Sequence, residues 1–362
     1  MKTSIQIGKI MGIPIQLHIT FLLVLPVFAW IFAQNEPQFG GFNDIEPEML
    51  RYFLGMAASV LLFTCVLLHE LGHSYVAKKH GSNINNITLF LFGGVSSMEE
   101  IPKDPKTELK MAVAGPAVSL LIGSTLIIIH EIFRQDSLFQ DSPCMRLIWL
   151  VGFLNIVLCF FNMIPAFPMD GGRVLRAWLA GRMPYIKATR TAAGIGKMFA
   201  IFMGFLGFFF NILLTLIAFF IYIGASEEEK STEVTVILEG VKVRDIMSKE
   251  VRTVSMETTV EELLDMMFKY KHMGYPVVDG SHVKGIVTFT DVQKVAREDR
   301  KNVKVSQIMT KGIITAKEND EAVTVLKLLT KNSIGRIIVK NDEKMIGIVS
   351  RTDVLRAVQL LE

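Results

Sequence analysis

Apolar positions are unevenly distributed along the chain. Up to about residue 225 they run in long blocks, and from 226 onward they alternate with polar residues as in a soluble protein. A bilayer core of roughly 30 Å needs about 20 apolar residues in a helix. The blocks 13–33, 52–76, 109–132 and 147–164 each read as one span. The block 188–225 is too long for one, because a helix rises only ~1.5 Å per residue. "GFLGFFFN", 204–211, offers a turn within it, which predicts two spans at about 192–205 and 210–224, and six spans in all. Two stretches do not read as spans. "SIQIGKIMGIPIQLH" alternates and is interrupted by Gly12 and Pro14, and "INNITLFLFGGVSSM" is short and rich in β-formers. Both read as membrane-associated strands, which lipid tolerates only where protein covers the backbone or water reaches it.

The C-terminal part repeats itself. "VRDIMSKEVRTVS" is answered by "VSQIMTKGIITAK", and "GIVTFTDV" by "GIVSRTDV", at a constant offset of 62 residues. Each copy predicts strand, helix, strand, strand, helix. Between the two halves, "SEEEKST" at 226–232 has no core-forming pattern and reads as a charged linker. The expected domains are therefore 1–225 in the membrane, 226–240 as linker, and two repeat units at 241–300 and 301–362.

Charge sets the expected orientation. With the N-terminus inside, the inner segments collect Lys2, Lys9, Lys78, Lys79, Lys103, Lys106, Lys110, Arg173, Arg176, Arg182, Lys187 and Arg190. The outer loops hold Arg51, Arg134 and Arg146 beside the acids Glu36, Asp44, Glu46 and Glu48. The positive-inside bias then predicts a multi-pass cell-membrane protein with its N-terminus and C-terminal half in the cytoplasm. The net charge of +3 is too small to argue for nucleic acid, so none is expected as a partner; lipid is. Cys65, Cys144 and Cys159 suggest no disulfide framework and read as reduced thiols. No cleavable signal peptide is expected at the N-terminus.

"VLLHELGHSYVAKKHG" puts His69, Glu70 and His73 just after 56–68, a run with no charged side chain. On a helix, positions i and i+4 share a face, so both imidazoles can reach one metal ion, with Glu70 beside them to take a proton from water. Eight residues, or ~12 Å of helix, separate Glu70 from the basic cluster at Lys78. The acid therefore falls below the cytoplasmic membrane surface. A plain interhelical polar contact would explain the motif more simply, but ionisable residues at such depth are costly and generally functional. Zinc needs a third protein ligand. "NMIPAFPMDGGRVLRAWLAG" supplies Asp170, at the same level, after prolines that break the fourth span. Alone, Asp170 reads equally well as a cap for a helix over 173–180. Beside the histidine pair, the ligand reading is preferred.

"HELGH" in the second span together with "NMIPAFPMDGG" after the fourth resembles the site-2 protease family of intramembrane zinc metalloproteases, most of all six-span archaeal members that carry a cytoplasmic pair of cystathionine-β-synthase (CBS) domains. The resemblance covers nearly the whole chain. It implies a polytopic α-helical membrane domain with short β-strands, joined to an α/β tandem CBS pair, and a transmembrane protein as substrate. It implies one catalytic zinc ion on His69, His73 and Asp170, Glu70 as general base, and Asn162 as the residue that positions substrate or stabilises the oxyanion. It implies further that the strand at Phe92, Gly93 and Gly94 takes unwound substrate edge to edge. Met169 departs from the leucine many members have before Asp-Gly. Ser119 departs from an asparagine, and is given no role.

The repeats, about 243–296 and 305–358, resemble CBS domains. That resemblance implies an adenine nucleotide, ATP or AMP, as regulatory ligand, with Asp291 and Asp353 at ribose hydroxyls and Thr288 and Ser350 at phosphate. Local N-capping explains the same four residues without a ligand. Lys304, Arg336 and Arg351 are further phosphate candidates, and pairing of two copies through the CBS module is a partner expectation. The alternative is a CBS-regulated transporter or channel with a structural metal site. It predicts repeated spans or charges along an ion path, and the six expected spans show no repeat.

Overall fold

The computed structural model describes residues 4–90, 93–98, 104–136, 142–280, 282–342 and 344–361. The chain divides into two compact units, Met1–Lys230 and Ser231–Glu362.

The first unit opens with a hairpin, β1 (Ser4–Ile10) and β2 (Ile13–His18), before helix α1 (Ile19–Gln34). Helix α2 (Glu48–Lys79) is followed by a second hairpin, β3 (Ile84–Phe90) and β4 (Gly93–Met98). Then come α3 (Pro105–Phe133), α4 (Pro143–Asn162), α5 (Asp170–Ala180), α6 (Tyr185–Phe210) and α7 (Ile212–Ile237). The four strands form one sheet in the order β1-β2-β3-β4, with β2 and β3 parallel. Ile13, Ile15 and Ile87 of this sheet pack on Leu71 of α2, beside the histidine motif.

Among the described residues, α2, α3, α4 and α6 are long and apolar enough to cross a membrane, and α1 is a shorter apolar helix. Small residues line the helix contacts, including Ala29, Ala58, Ala112 and Ala193, whereas large apolar ones such as Leu23, Leu121, Phe160 and Met198 are exposed. In water that arrangement would be unfavourable. In lipid, helices gain from close backbone approach and lose nothing by exposing leucine.

Three boundaries differ from expectation. The first block becomes helical at Ile19, because 13–18 pairs as a strand on both sides. The turn in the fifth block falls at Asn211, and Gly204 and Gly207 stay helical. Asn211 is extended and its side chain accepts a hydrogen bond from Leu213 N at 2.9 Å, which starts α7. The charged run 226–232 lies inside α7. Two of its three acids have partners: Glu228 meets Arg176 Nη1 at 2.7 Å and Glu229 meets Lys197 Nζ at 2.6 Å.

The second unit follows the repeat. Its first half is α8 (Val243–Ile246), β5 (Val254–Ser255), α9 (Val260–Tyr270), β6 (Gly274–Asp279), β7 (His282–Thr288) and α10 (Phe289–Gln293). Its second is α11 (Val305–Ile308), β8 (Thr315–Ala316), α12 (Ala322–Lys331), β9 (Arg336–Asn341), β10 (Lys344–Ser350) and α13 (Arg351–Leu361). Each half forms a three-stranded mixed sheet with its own core, one around Leu263, Val277 and Val287 and the other around Leu329, Ile337 and Val349.

Candidate metal centre and nucleotide cleft

Helix α2 carries His69 and His73 one turn apart, both buried. Their Nε2 atoms stand 3.2 Å apart. Asp170 Oδ2 completes a triangle, 3.2 Å from His69 Nε2 and 3.1 Å from His73 Nε2. Asp170 is not the helix cap. Helix α5 begins at Asp170, with Met169 in the cap position, so the carboxylate is free to face the imidazoles from the first turn.

The remaining ring nitrogens are fixed by α3. His73 Nδ1–H donates to the Met111 carbonyl at 2.7 Å, which leaves a lone pair on Nε2. His69 Nδ1 lies 2.9 Å from Ser119 Oγ. A side chain at Gly115 could not coexist with the pair, since its Cβ would lie 2.1 Å from His73 Nε2 and 2.7 Å from His69 Nε2.

Three candidate ligand atoms thus converge with edges of 3.1–3.2 Å. A cation between them could draw on all three. Tetrahedral zinc with bonds of about 2.0–2.1 Å sets its ligands roughly 3.3 Å apart, so the donor set and spacing fit zinc. The outer partners on Nδ1 are those that orient metal-bound imidazoles.

Glu70 extends from the same helix toward β4. Ser96 Oγ donates to Glu70 Oε2 at 2.9 Å. A Cβ on Gly94 would sit 2.5 Å from Glu70 Cγ, so only glycine lets this strand cross the carboxylate. Gly93 pairs with Phe90 and Gly94 with Leu89, and β4 ends the sheet order. Gly94 therefore stands at the acid, whereas a Cβ at Gly93 would meet nothing within 4 Å; Phe92 lies outside the described residues. Asn162 closes α4 and donates to the Leu158 carbonyl of its own helix at 3.0 Å, which leaves it turned onto that helix. Ser119, given no role from the sequence, is in contact with His69. Its position relative to Glu108, Met111 and Gly115, at steps of three and four, was the available signal.

In the second unit, Thr288 caps α10, and its hydroxyl donates to Asp291 Oδ2 at 2.7 Å. Ser350 Oγ donates to Asp353 Oδ2 at the same distance. The capping arrangement is thus present in both halves, and the outer oxygen of Asp291 is met by Lys294 Nζ at 3.0 Å. Burial pushes the Asp291 carboxyl up, but hydrogen bonds from Thr288 and Lys294 outweigh it and hold the group below the usual carboxylate range. It is an ionised acceptor at neutral pH. Arg336 stands opposite Ser350 in the sheet register and donates through Nη1 to the Gly274 carbonyl, itself in the residue paired with Thr288. It lies between the two Thr/Ser positions. Lys304 is engaged by Glu257, and Arg351 donates to the Leu329 carbonyl at 3.1 Å.

Comparison with known proteins agrees with this division. The model of peptidase family M50 matches residues 57–142 and 129–203, and that of the CBS domain matches 243–298 and 305–360. A zinc metalloprotease of Methanocaldococcus jannaschii is 40% identical over 363 aligned positions, covering 100% of this chain and 98% of that protein. The solved site-2 protease from the same organism is 44% identical, covers 62% of this chain and 95% of its own, and superposes with a TM-score of 0.46. The CBS domain of a bacterial CNNM/CorC family Mg2+ transporter, solved in complex with ATP, is 26% identical, covering 37% of this chain and 97% of that one, with a TM-score of 0.33. Similarity that runs from end to end at 40% identity, over a membrane half with the histidine motif and a CBS half with the repeat, means that the chain belongs to the site-2 protease family of zinc metalloproteases, the M50 peptidases, and to its CBS-bearing members.

Proposed function

We propose that this protein cleaves transmembrane segments of other membrane proteins, with His69, His73 and Asp170 holding one zinc ion and Glu70 acting as general base. The observation that carries the reading is the triangle of His69 Nε2, His73 Nε2 and Asp170 Oδ2, set beside a carboxylate that a glycine strand crosses. Zinc held there supplies Lewis acidity and brings the pKa of water to near 7. Glu70 takes one proton from the attacking water, whose oxygen bonds to the scissile carbonyl carbon. When the C–N bond breaks, Glu70 returns that proton to the leaving nitrogen. Ser96 holds Glu70 Oε2 and so keeps the other oxygen aimed at the site. Substrate, unwound from its own helix, adds to β4 by backbone pairing, which places its peptide bond over Glu70. Asn162 gives one N–H of its amide to the Leu158 carbonyl, and the second N–H is the one that would serve the oxyanion.

The six-span arrangement with both chain ends in the cytoplasm suits this chemistry. It puts the site on the cytoplasmic side, where water reaches it, and releases the product there. The decisive experiment is cleavage of a model membrane peptide by purified protein in lipid. Activity that is lost on chelation and restored by zinc is expected; undiminished cleavage in excess chelator would sink the metalloprotease mechanism. Ser119→Ala is expected to keep the fold and to weaken zinc about tenfold, as loss of an outer partner does. Zinc competition by a chromophoric chelator reads this directly.

The nucleotide reading rests on the Thr288–Asp291 and Ser350–Asp353 pairs, with Arg336 between them: hydroxyl and guanidinium donors for phosphate, carboxylates for a ribose diol. Binding of ATP or AMP is expected to change the cleavage rate of the full chain, and only a nucleotide with unequal affinity for two states can do so. Asp291→Ala with Asp353→Ala should abolish the response and leave basal cleavage unchanged. A full chain that binds nucleotide at an unaltered rate of cleavage would refute the coupling.

A further inference from the structure

Arg176 is a charged side chain the reaction does not use, and only 1% of it is exposed. From the middle of α5 it donates through Nε to Glu108 Oε1 at 2.7 Å and through Nη1 to Glu228 Oε1 at 2.7 Å. The rings of Phe167 and Tyr185 flank the guanidinium at 5.0 and 5.1 Å. Glu108 is fully buried, and Glu228 retains 23% side-chain exposure. Three helices, α3, α5 and α7, therefore meet at one cation.

Burying such a group is poor value for stability alone. Desolvation offsets most of the attraction, and apolar replacements are often as stable; the best-attested use of a buried polar group is to set register. What this cluster would register is visible on α3. Glu108, Met111, Gly115 and Ser119 follow one another at steps of three, four and four residues and so share a face. Met111 holds His73, Gly115 admits both imidazoles, and Ser119 holds His69. Glu108 ends this stripe and grips the helix that bears Asp170.

On these grounds we infer that Arg176 is a positioning residue: by locking α5 to the Glu108 end of the α3 stripe, with Glu228 of α7 as second anchor, it sets Asp170 against the histidine pair. The inference rests on the zinc-ligand reading of Asp170. The guanidinium fork suits the task because it is planar and addresses two carboxylates at fixed angles, which an ammonium cannot do.

The test is zinc affinity of the full-length protein in detergent, by competition with a chromophoric chelator, for Arg176→Gln, Arg176→Lys, Glu228→Gln and Glu229→Gln. Arg176→Gln is expected to bind zinc at least ~10-fold more weakly, with Arg176→Lys falling short of rescue. Glu228→Gln should shift affinity in the same direction by a smaller factor. Glu229→Gln, one residue along the same helix and paired with Lys197, should leave it unchanged. In an Asp170→Asn background, Glu228→Gln should cost nothing further, because groups that act through one another are not additive. Should Arg176→Gln fail to fold, Glu228→Gln and its Asp170→Asn combination decide the matter. The inference is overturned if Glu228→Gln binds zinc as the parent does, if Glu229→Gln loses as much, or if the Glu228→Gln loss persists at full size without Asp170. If Asp170→Asn alone leaves zinc affinity unchanged, the ligand reading fails and the clamp falls with it; if Asp170→Asn loses zinc and Glu228→Gln does not, the clamp alone fails.

Discussion

Glu70→Gln is expected to lower cleavage by roughly a hundred- to ten-thousand-fold, the range a positioned general base contributes, with zinc retained at about one ion per chain. Glutamine keeps the volume of the side chain and the contact with Ser96, and it leaves the three-atom triangle of His69, His73 and Asp170 alone. What it cannot do is accept a proton from water. Zinc content and cleavage measured on the same preparation separate the two roles. His73→Ala is the contrast, since it should lose metal and activity together. Near-normal cleavage by Glu70→Gln would remove the acid from the mechanism and point to another base.

Asp170→Asn is expected to cost ~100-fold or more in zinc affinity, above the range for loss of an outer partner, and to abolish turnover at ordinary zinc concentrations. The substitution replaces an anion by a neutral amide in the triangle with His69 Nε2 and His73 Nε2. Two neutral imidazoles then have to hold a dication with a weak third donor. As a helix cap, Asn would have served as well as Asp, so the substitution discriminates. A zinc-replete, fully active Asp170→Asn protein would require a third ligand from elsewhere. The structure argues against the cap role because Met169, not Asp170, precedes the first turn of α5.

Much of the site was legible because it is local. His69, Glu70 and His73 lie within five residues on one helix, so the 3.6-residue period alone places them together. The strands within 4–18 were readable from alternation and those within 84–98 from their β-forming residues, and the CBS halves from an internal repeat that needs no fold to detect. Asp170 was reachable by a longer inference, through membrane depth and the cost of an unpaired carboxylate there.

Other features came from packing. Which side of α3 meets α2 depends on small residues such as Gly115 and Ala112 allowing close approach, and hydropathy is blind to that in a helix apolar on nearly every face. Hence Ser119, dismissed as a family departure, turned out to touch His69. That Asn162, assigned by resemblance, donates to the Leu158 carbonyl of its own helix was likewise not legible in the sequence. The run 226–232 looked solvated because its partners, Arg176 and Lys197, are 52 and 32 residues away from Glu228 and Glu229. Sequence by itself determined the chemistry available, since motif spacing on a helix and the depth of a charge in lipid are one-dimensional quantities. Tertiary structure alone decided which atoms hold that chemistry in register, because such contacts join residues far apart in the chain and depend on the shapes of the helix faces that meet.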